Sequence, residues 1–493
     1  MFETAELGHK IAKEEYEKEE PKLREALLTA QYELKDSAQF AVIVIVSGVE
    51  GAGKSETVNL LNAWMDPRLI ETRAFGKPSD EDAERPRLFR YWNAMPPKGK
   101  IGIMFGGWYA DPLEDRVEGV IKNNVFDDYL EEITRLEKML VSEGTLVLKF
   151  WLHLSKDKQK KRLRAVEKDP RTRWRVTKAD WKRFAQYDDV RTVAEQMLRQ
   201  TSMAEAPWSL VEGEDARYRD LTVGTVLLRE MQKRLGEARP QILQREAPPL
   251  APPIDGVRVL DRLDLGKSLP KEKYEHELEE LEGALSLATR KRRFKKSHAV
   301  VVVFEGNDAA GKGGSIRRIT ATLDARQFAI VPVSAPTEEE RAQPYLWRFY
   351  RRLPKKGRMT IFDRSWYGRV LVERVEKLCS EDDWMRAYSE INDFEAQLVE
   401  SGIVVVKLWL AITKEEQLAR FKAREETGWK RFKIGSEDYR NRDKWDEYGT
   451  AVNDMVERTS TEICPWTLVE ANDKHFARIK VLRTVVEALT AAK

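Results

Sequence analysis

Hydrophobic residues along this chain fall into two recurring patterns. One is an unbroken β-branched run, Ala41-Val42-Ile43-Val44-Ile45-Val46, met again at residues 300–303. An alternating run would leave one face exposed, whereas a continuous one predicts a strand covered on both faces, as in a parallel sheet. The other is an amphipathic helix ahead of each run, over residues 11–34 and 271–290. Its length and charge suggest packing outside the sheet or against a partner. Further strands are predicted in the second half at residues 328–333, 359–362, 404–410 and 467–469, with helical stretches between them. Strands alternating with helices give an α/β architecture with a doubly wound parallel sheet and helices on both faces.

The two halves repeat each other. Phosphate-loop patterns stand at residues 48–55 (GVEGAGKS) and 306–313 (GNDAAGKG), so Lys54 matches Lys312, 258 residues apart. The same spacing relates Trp108 to Trp366, Tyr109 to Tyr367, Pro207 to Pro465, Trp208 to Trp466 and Tyr16 to Tyr274. A spacing held this long predicts tandem duplication with one fold per copy: domains over 1–238 and 256–493, and a linker over 239–255. The five prolines at 240–253 read as an extended connection. Each copy, at roughly 235 residues, is long enough to bury its own core.

Composition narrows the function classes. A net charge of +3 does not describe a generally basic nucleic-acid binder, so any polyanion must be met by local clusters. The longest apolar runs, 40–46 and 299–304, are too short to span a bilayer. Two cysteines, Cys379 and Cys464, give no disulfide framework and suit a reducing compartment, so a cytoplasmic protein is expected.

The chemistry is unevenly divided. In the second copy Gly306, Ala310, Gly311, Gly313 and Gly314 let the backbone wrap an anion, and Lys312 adds a full positive charge. The position that usually brings a metal-binding hydroxyl is Gly313, so magnesium would need the carboxylates of Asp308 and Asp363. Asp363-Arg364-Ser365 follows the third strand, at the end where open α/β sheets place ligands, and Arg364 can clamp phosphoryl oxygens. Two basic clusters complete this copy. One holds Arg348, Arg351, Arg352, Lys355, Lys356 and Arg358, and the other Arg424, Lys430, Arg431 and Lys433. The first copy dilutes the former, with Asn93, Ala94 and Pro97 matching Arg351, Arg352 and Lys355. It also has Glu50 for Asp308, and Phe105-Gly106-Gly107 for Asp363-Arg364-Ser365. Its loop is nonetheless the better match to the consensus, since Lys54-Ser55 fits where Lys312-Gly313 does not.

The strings EGNDAAGKGG, FDRSWYGRVLVERVE, KRFKIGSEDYRNRDKWDEY and RTSTEICPWTLVEANDK resemble polyphosphate kinase family 2, and the tandem form resembles its two-domain class II branch, the polyphosphate:AMP phosphotransferases. The resemblance implies two P-loop kinase-like domains with a helical lid, and magnesium as cofactor. It implies polyphosphate and AMP or another nucleoside monophosphate as substrates, and a homodimer. It makes Asp308, Lys312, Asp363 and Arg364 the catalytic core, puts Arg431 and Lys433 on the lid, and sets Glu373 near the acceptor. The first copy is expected to be inactive. Two other classes remain open on sequence: an ATP-dependent nucleoside monophosphate kinase of thymidylate-kinase type, and a non-catalytic nucleotide- or polyphosphate-binding module.

Overall fold

The computed structural model describes residues 1–237, 258–428 and 431–492; the expected linker lies outside them. The first copy forms one parallel sheet from β1 (Val42–Gly48), β2 (Ile70–Ala74), β3 (Ile101–Phe105), β4 (Leu146–His153) and β5 (Trp208–Glu212), in the order β2-β3-β1-β4-β5. The second forms another from β6 (Ala299–Gly306), β7 (Phe328–Pro332), β8 (Met359–Asp363), β9 (Ile403–Ala411) and β10 (Trp466–Glu470). Its order, β10-β9-β6-β8-β7, is the same sequence of strands read from the other edge. The continuous β-branched runs are the central strands β1 and β6, and Val300 to Phe304 are wholly buried. Val300, Val302 and Phe304 pack with Leu285, Ile316, Val481 and Val485 of the helices Lys271–Arg290, Lys312–Thr320 and Lys474–Ala491. The helix Glu381–Glu400 packs against β9 and buries Ile391, Phe394 and Leu398, with Lys407 of that strand bonded to its Glu395. Asp363 is the last residue of β8, and the cap of the following 3-10 turn Trp366–Arg369 is Ser365, whose hydroxyl accepts from the Tyr367 N–H.

The matching aromatics have a structural cause. Lys407 on β9 is fully buried and pairs with Glu395 at 2.7 Å, while donating to the Tyr367 hydroxyl (3.1 Å) and the Thr459 carbonyl (2.6 Å). Trp366 Nε1 and the Tyr367 hydroxyl both donate to Glu395 Oε1, at 3.0 and 2.6 Å, and Trp466 Nε1 donates to Thr459 Oγ1 at 2.9 Å. The first copy repeats every partner: Lys149 with Glu137 at 2.6 Å, joined by Trp108, Tyr109, Thr201 and Trp208. A charge buried this deeply is tolerable only when paired and hydrogen-bonded throughout.

By spatial clustering the described residues form two compact units that differ from a single cut through the linker. One contains 1–79, 90–237 and 336–347; the other contains 80–89, 258–335, 348–428 and 431–492. In the second unit Arg85 Nη1 donates to the Leu353 carbonyl (2.6 Å), the Lys356 N–H to the Glu84 carbonyl (3.2 Å), and Lys355 pairs with Glu84 (3.4 Å). In the first unit the equivalent positions meet: Gln343 Nε2 donates to the Met95 carbonyl (3.2 Å) and the Lys98 N–H to the Ala342 carbonyl (2.8 Å).

Two outcomes follow. Lys407→Ala leaves Glu395 buried and unpaired, and should cost the second unit about 3–5 kcal/mol in chemical denaturation; a loss below ~1 kcal/mol would mean that water reaches the pair. A second copy expressed alone lacks residues 80–89 and the Arg85 and Glu84 contacts. It should be less soluble or less active than the full chain, and a stable, fully active fragment would show those contacts to be dispensable.

Candidate active site

The pairing of β6 with β8 sets Phe304 opposite Asp363, so the loop leaving β6 and the Asp-Arg pair ending β8 emerge side by side at the carboxyl edge of the sheet. A side chain at Gly306 would meet the Leu410 carbonyl at 2.5 Å, so only glycine lets β6 turn into the loop beside β9. The loop is braced from behind by Gln417 Nε2, which donates to the Asp308 carbonyl (3.2 Å), and by Arg420. Arg420 is buried and donates to the carbonyls of Ala309 (3.0 Å), Ala471 (2.7 Å) and Asn472 (2.8 Å). Lys312 opens the helix behind the loop, and its ammonium donates to the carbonyls of Gly306 (2.8 Å) and Asn307 (3.3 Å).

Asp308 is the focus. Its Oδ1 pairs with Arg364 Nη2 at 3.0 Å, and its Oδ2 accepts from Asn441 Nδ2 at 3.0 Å. Burial raises its pKa, but Lys312, Arg364 and the Asn441 amide together outweigh burial and hold it below the usual carboxylate range. Arg364 occupies the left-handed region with φ +64°, its N–H donates to the Phe304 carbonyl at 2.9 Å, and its side chain is 48% exposed. Beneath it Ser365 Oγ donates to the buried Glu305 at 2.9 Å. Asp308 and Asp363 offer hard carboxylate oxygens, the donor type that magnesium takes together with phosphates and water.

The lid is a helical segment after β9, comprising the helix Lys414–Glu425, the 3-10 turn Arg431–Lys433 and the helix Ser436–Asp443. Asn441 ties the last of these to Asp308, and Arg442 ties it to the Lys414 carbonyl and Gln417. Glu376 holds its base, accepting from Lys444 (2.9 Å) and lying 3.6 Å from Arg440.

Thus Asp308, Lys312 and Arg364 converge, with Asp363 next in the chain to Arg364. The loop residues Gly306, Ala310, Gly311, Gly313 and Gly314 follow β6 into the helix Lys312–Thr320. Glu373 pairs with Arg369 at 2.7 Å. Arg431 is exposed and its ring partner is Phe432; Lys430 and the Lys433 side chain lie outside the described residues. The structure does not bring Arg351 and Arg352 to the loop. The Arg352 carbonyl accepts from Thr360, early in β8, and the turn 355–358 binds His298 and Val300 at the start of β6. That is the amino edge, roughly 10–13 Å of strand from Asp363. Lys355 and Lys356 are engaged by Glu84 and the Ala83 carbonyl. The residues expected to form one basic donor surface thus leave the chain at the amino end of β8, since the strand carries its two ends to opposite edges.

Four contributors went unnoticed in the sequence: Glu305, Gln417, Arg420 and Asn441. Comparing the copies reveals two of them, since Ser47 stands for Glu305 and Arg183 for Asn441. In the first copy Lys54 lies 3.4 Å from Glu50, and Gly106 (φ +75°) takes the place of Arg364.

A family model for Polyphosphate kinase 2 (PPK2) matches residues 10–239 and 268–493. The chain is 57% identical over 492 residues to a polyphosphate:AMP phosphotransferase of Pseudomonas aeruginosa, covering 100% of this chain and 99% of the relative. It is 38% identical over 471 residues to a polyphosphate:AMP phosphotransferase of Acinetobacter johnsonii, covering 94% and 95%. A crystal structure described as a polyphosphate kinase 2 from Pseudomonas aeruginosa superposes with a TM-score of 0.90 at 55% identity, covering 100% of this chain and 99% of that one. Both halves match the same family model although only one holds the Asp-Arg pair, and the chain belongs to the polyphosphate kinase 2 family.

Proposed function

We propose that the second copy moves the terminal phosphoryl group of polyphosphate onto the phosphate of AMP, giving ADP. The observation that carries this is the Arg364–Asp308 pair beside the Lys312 loop, which the first copy lacks. The relatives named above support the choice of polyphosphate and AMP.

The acceptor oxygen of a nucleoside monophosphate is already anionic near neutral pH, so the site needs no strong general base. Alignment and neutralisation of charge on the equatorial oxygens carry the reaction. The loop amides and Lys312 face the transferring group, and Lys312 exchanges its two carbonyl partners for phosphoryl oxygens. Arg364 reaches from β8 across to the loop, which suits it to bridge donor and acceptor. Asp308 and Asp363 would hold magnesium, which supplies further charge neutralisation on the phosphates. The lid helix, fixed to Asp308 through Asn441, excludes water from a donor that hydrolysis would otherwise consume.

We place this activity in the cytoplasm, where free Cys379 and Cys464 stay reduced, and in a homodimer. Among the described residues no helix is long and apolar enough to cross a membrane. The direct test is ADP formation from AMP and magnesium with polyphosphate or with ATP. ADP from ATP alone would replace this reading with that of an ATP-dependent kinase.

Lys312→Ala and Asp363→Ala should each slow turnover at least a hundredfold, a loss of about 3 kcal/mol in transition-state stabilisation. Lys54→Ala should leave turnover within about twofold; the reverse pattern in steady-state kinetics would move the active site to the first copy. Neutralising Arg351 and Arg352 together should change the KM for polyphosphate by less than about threefold, because exposed charges at the far edge are screened over a Debye length. A tenfold rise would mean that the donor chain runs along the amino edge.

A further inference from the structure

Among the buried positions at which the two copies differ, one is coupled to the clamp. Glu305 ends the apolar run of β6, is 5% exposed, and stands where the first copy has Ser47. Its carboxylate accepts from the hydroxyl of Ser365 at 2.9 Å. That hydroxyl in turn accepts from the Tyr367 N–H at 3.3 Å, so it is fixed on both sides. Arg364, one residue earlier, is held in the left-handed region, which L side chains leave readily unless neighbouring contacts over-determine it. In the first copy all three partners change together: Ser47 for Glu305, Gly106 for Arg364, Gly107 for Ser365. Ser47 there reaches only the Gly106 carbonyl, at 3.5 Å. Nothing in the core requires an acid at this depth, since the same strand in the first copy packs around a serine and keeps every residue from Val42 to Val46 buried. A buried carboxyl is costly to hold, and its presence at this position only in the copy with the clamp indicates a role there.

We propose that Glu305 is a positioning residue for phosphoryl transfer: through the Ser365 hydroxyl it fixes the turn that carries Arg364, so that the guanidinium faces the transferring group. The proposal rests on the assignment of Arg364 as the phosphoryl clamp in the second copy. Glu305 itself touches no substrate. Its effect is on the orientation of Arg364, and therefore on kcat rather than on the affinity for either substrate.

The test uses the full-length protein, with kcat, both KM values and melting temperature measured for Glu305→Gln, Glu305→Ser and Ser365→Ala. The amide of Glu305→Gln still accepts the Ser365 hydroxyl, so that variant should stay within about threefold of the unmodified enzyme. Glu305→Ser, the residue of the first copy, and Ser365→Ala should each lower kcat by roughly tenfold or more, with both KM values within about twofold. Ser365→Ala keeps the proposal testable if Glu305→Ser fails to fold. In an Arg364→Ala background neither substitution should lower kcat further, because the route through Arg364 is already closed. A Glu305→Gln variant as impaired as Glu305→Ser, a rise in KM with kcat retained, or a further loss in the Arg364→Ala background would each overturn it. Failure of the underlying reading looks different: Arg364→Ala by itself would leave kcat intact.

Discussion

The parallel pairing of β6 with β8 is the constraint on which the site depends. It sets Phe304 against Asp363, and it is extended one step beyond the strand by the Arg364 N–H on the Phe304 carbonyl. The phosphate loop and the Asp-Arg pair come from residues more than 50 positions apart, yet the ladder fixes their separation as firmly as a covalent link would. Because side chains alternate along a strand, a slip of one residue would turn Asp363 to the other face and bring Phe362 to the loop. The wholly buried run from Val300 to Phe304 forbids that slip, since both of its faces are already packed. The apolar character of β6 is therefore part of the catalytic geometry.

The buried network around Lys407 and Glu395 has the opposite relation to function. It sits directly behind Trp366 and Tyr367, close in sequence to the Asp-Arg pair, and could be mistaken for catalytic machinery. Its complete repetition around Lys149 and Glu137, in a copy that has lost the pair, identifies it as framework. A buried ion pair is weak evidence for net stability, but losing one partner strands a charge, so neither member is free to drift. The network thus persists wherever the fold persists. The Asp308–Arg364 contact is not repeated, since the first copy has Glu50 and Gly106 at the matching positions.

Much of this was legible in the sequence because it depends on local pattern. The β-branched runs gave the central strands, the glycines gave the loop, and the two copies compared with each other separated Asp363-Arg364 from Phe105-Gly106. What escaped has a physical reason in each case. Glu305 sits in an apolar run, where its burial and its Ser365 partner depend on the register of β8. Asn441 and Arg420 reach the loop across more than 100 positions, through helices whose rotation no periodicity fixes. For the basic residues 351–358 the sequence shows proximity along the chain and not position on the sheet. They lie close to Asp363 in sequence, but a five-residue strand carries the chain from one edge of the sheet to the other.

The loop and the turn also show how the duplication divided its burden of strain. At two equivalent places the fold imposes a left-handed backbone: Gly51 (φ +73°) matches Ala309 (φ +62°), and Gly106 (φ +75°) matches Arg364 (φ +64°). The first copy fills both with glycine, which adopts that conformation without a steric penalty. The second copy carries side chains at both, at a cost on the order of 1–2 kcal/mol each. At Arg364 the guanidinium justifies the cost, and its bonds to Phe304 and Asp308 offset part of it. At Ala309 nothing in the structure explains the methyl group. Strain at Arg364 is thus carried by the copy that holds the Asp-Arg pair and absent from the copy without it. This is the pattern expected if the turn was shaped by the need to aim one charge, with the sheet beneath it rigid enough to hold the aim.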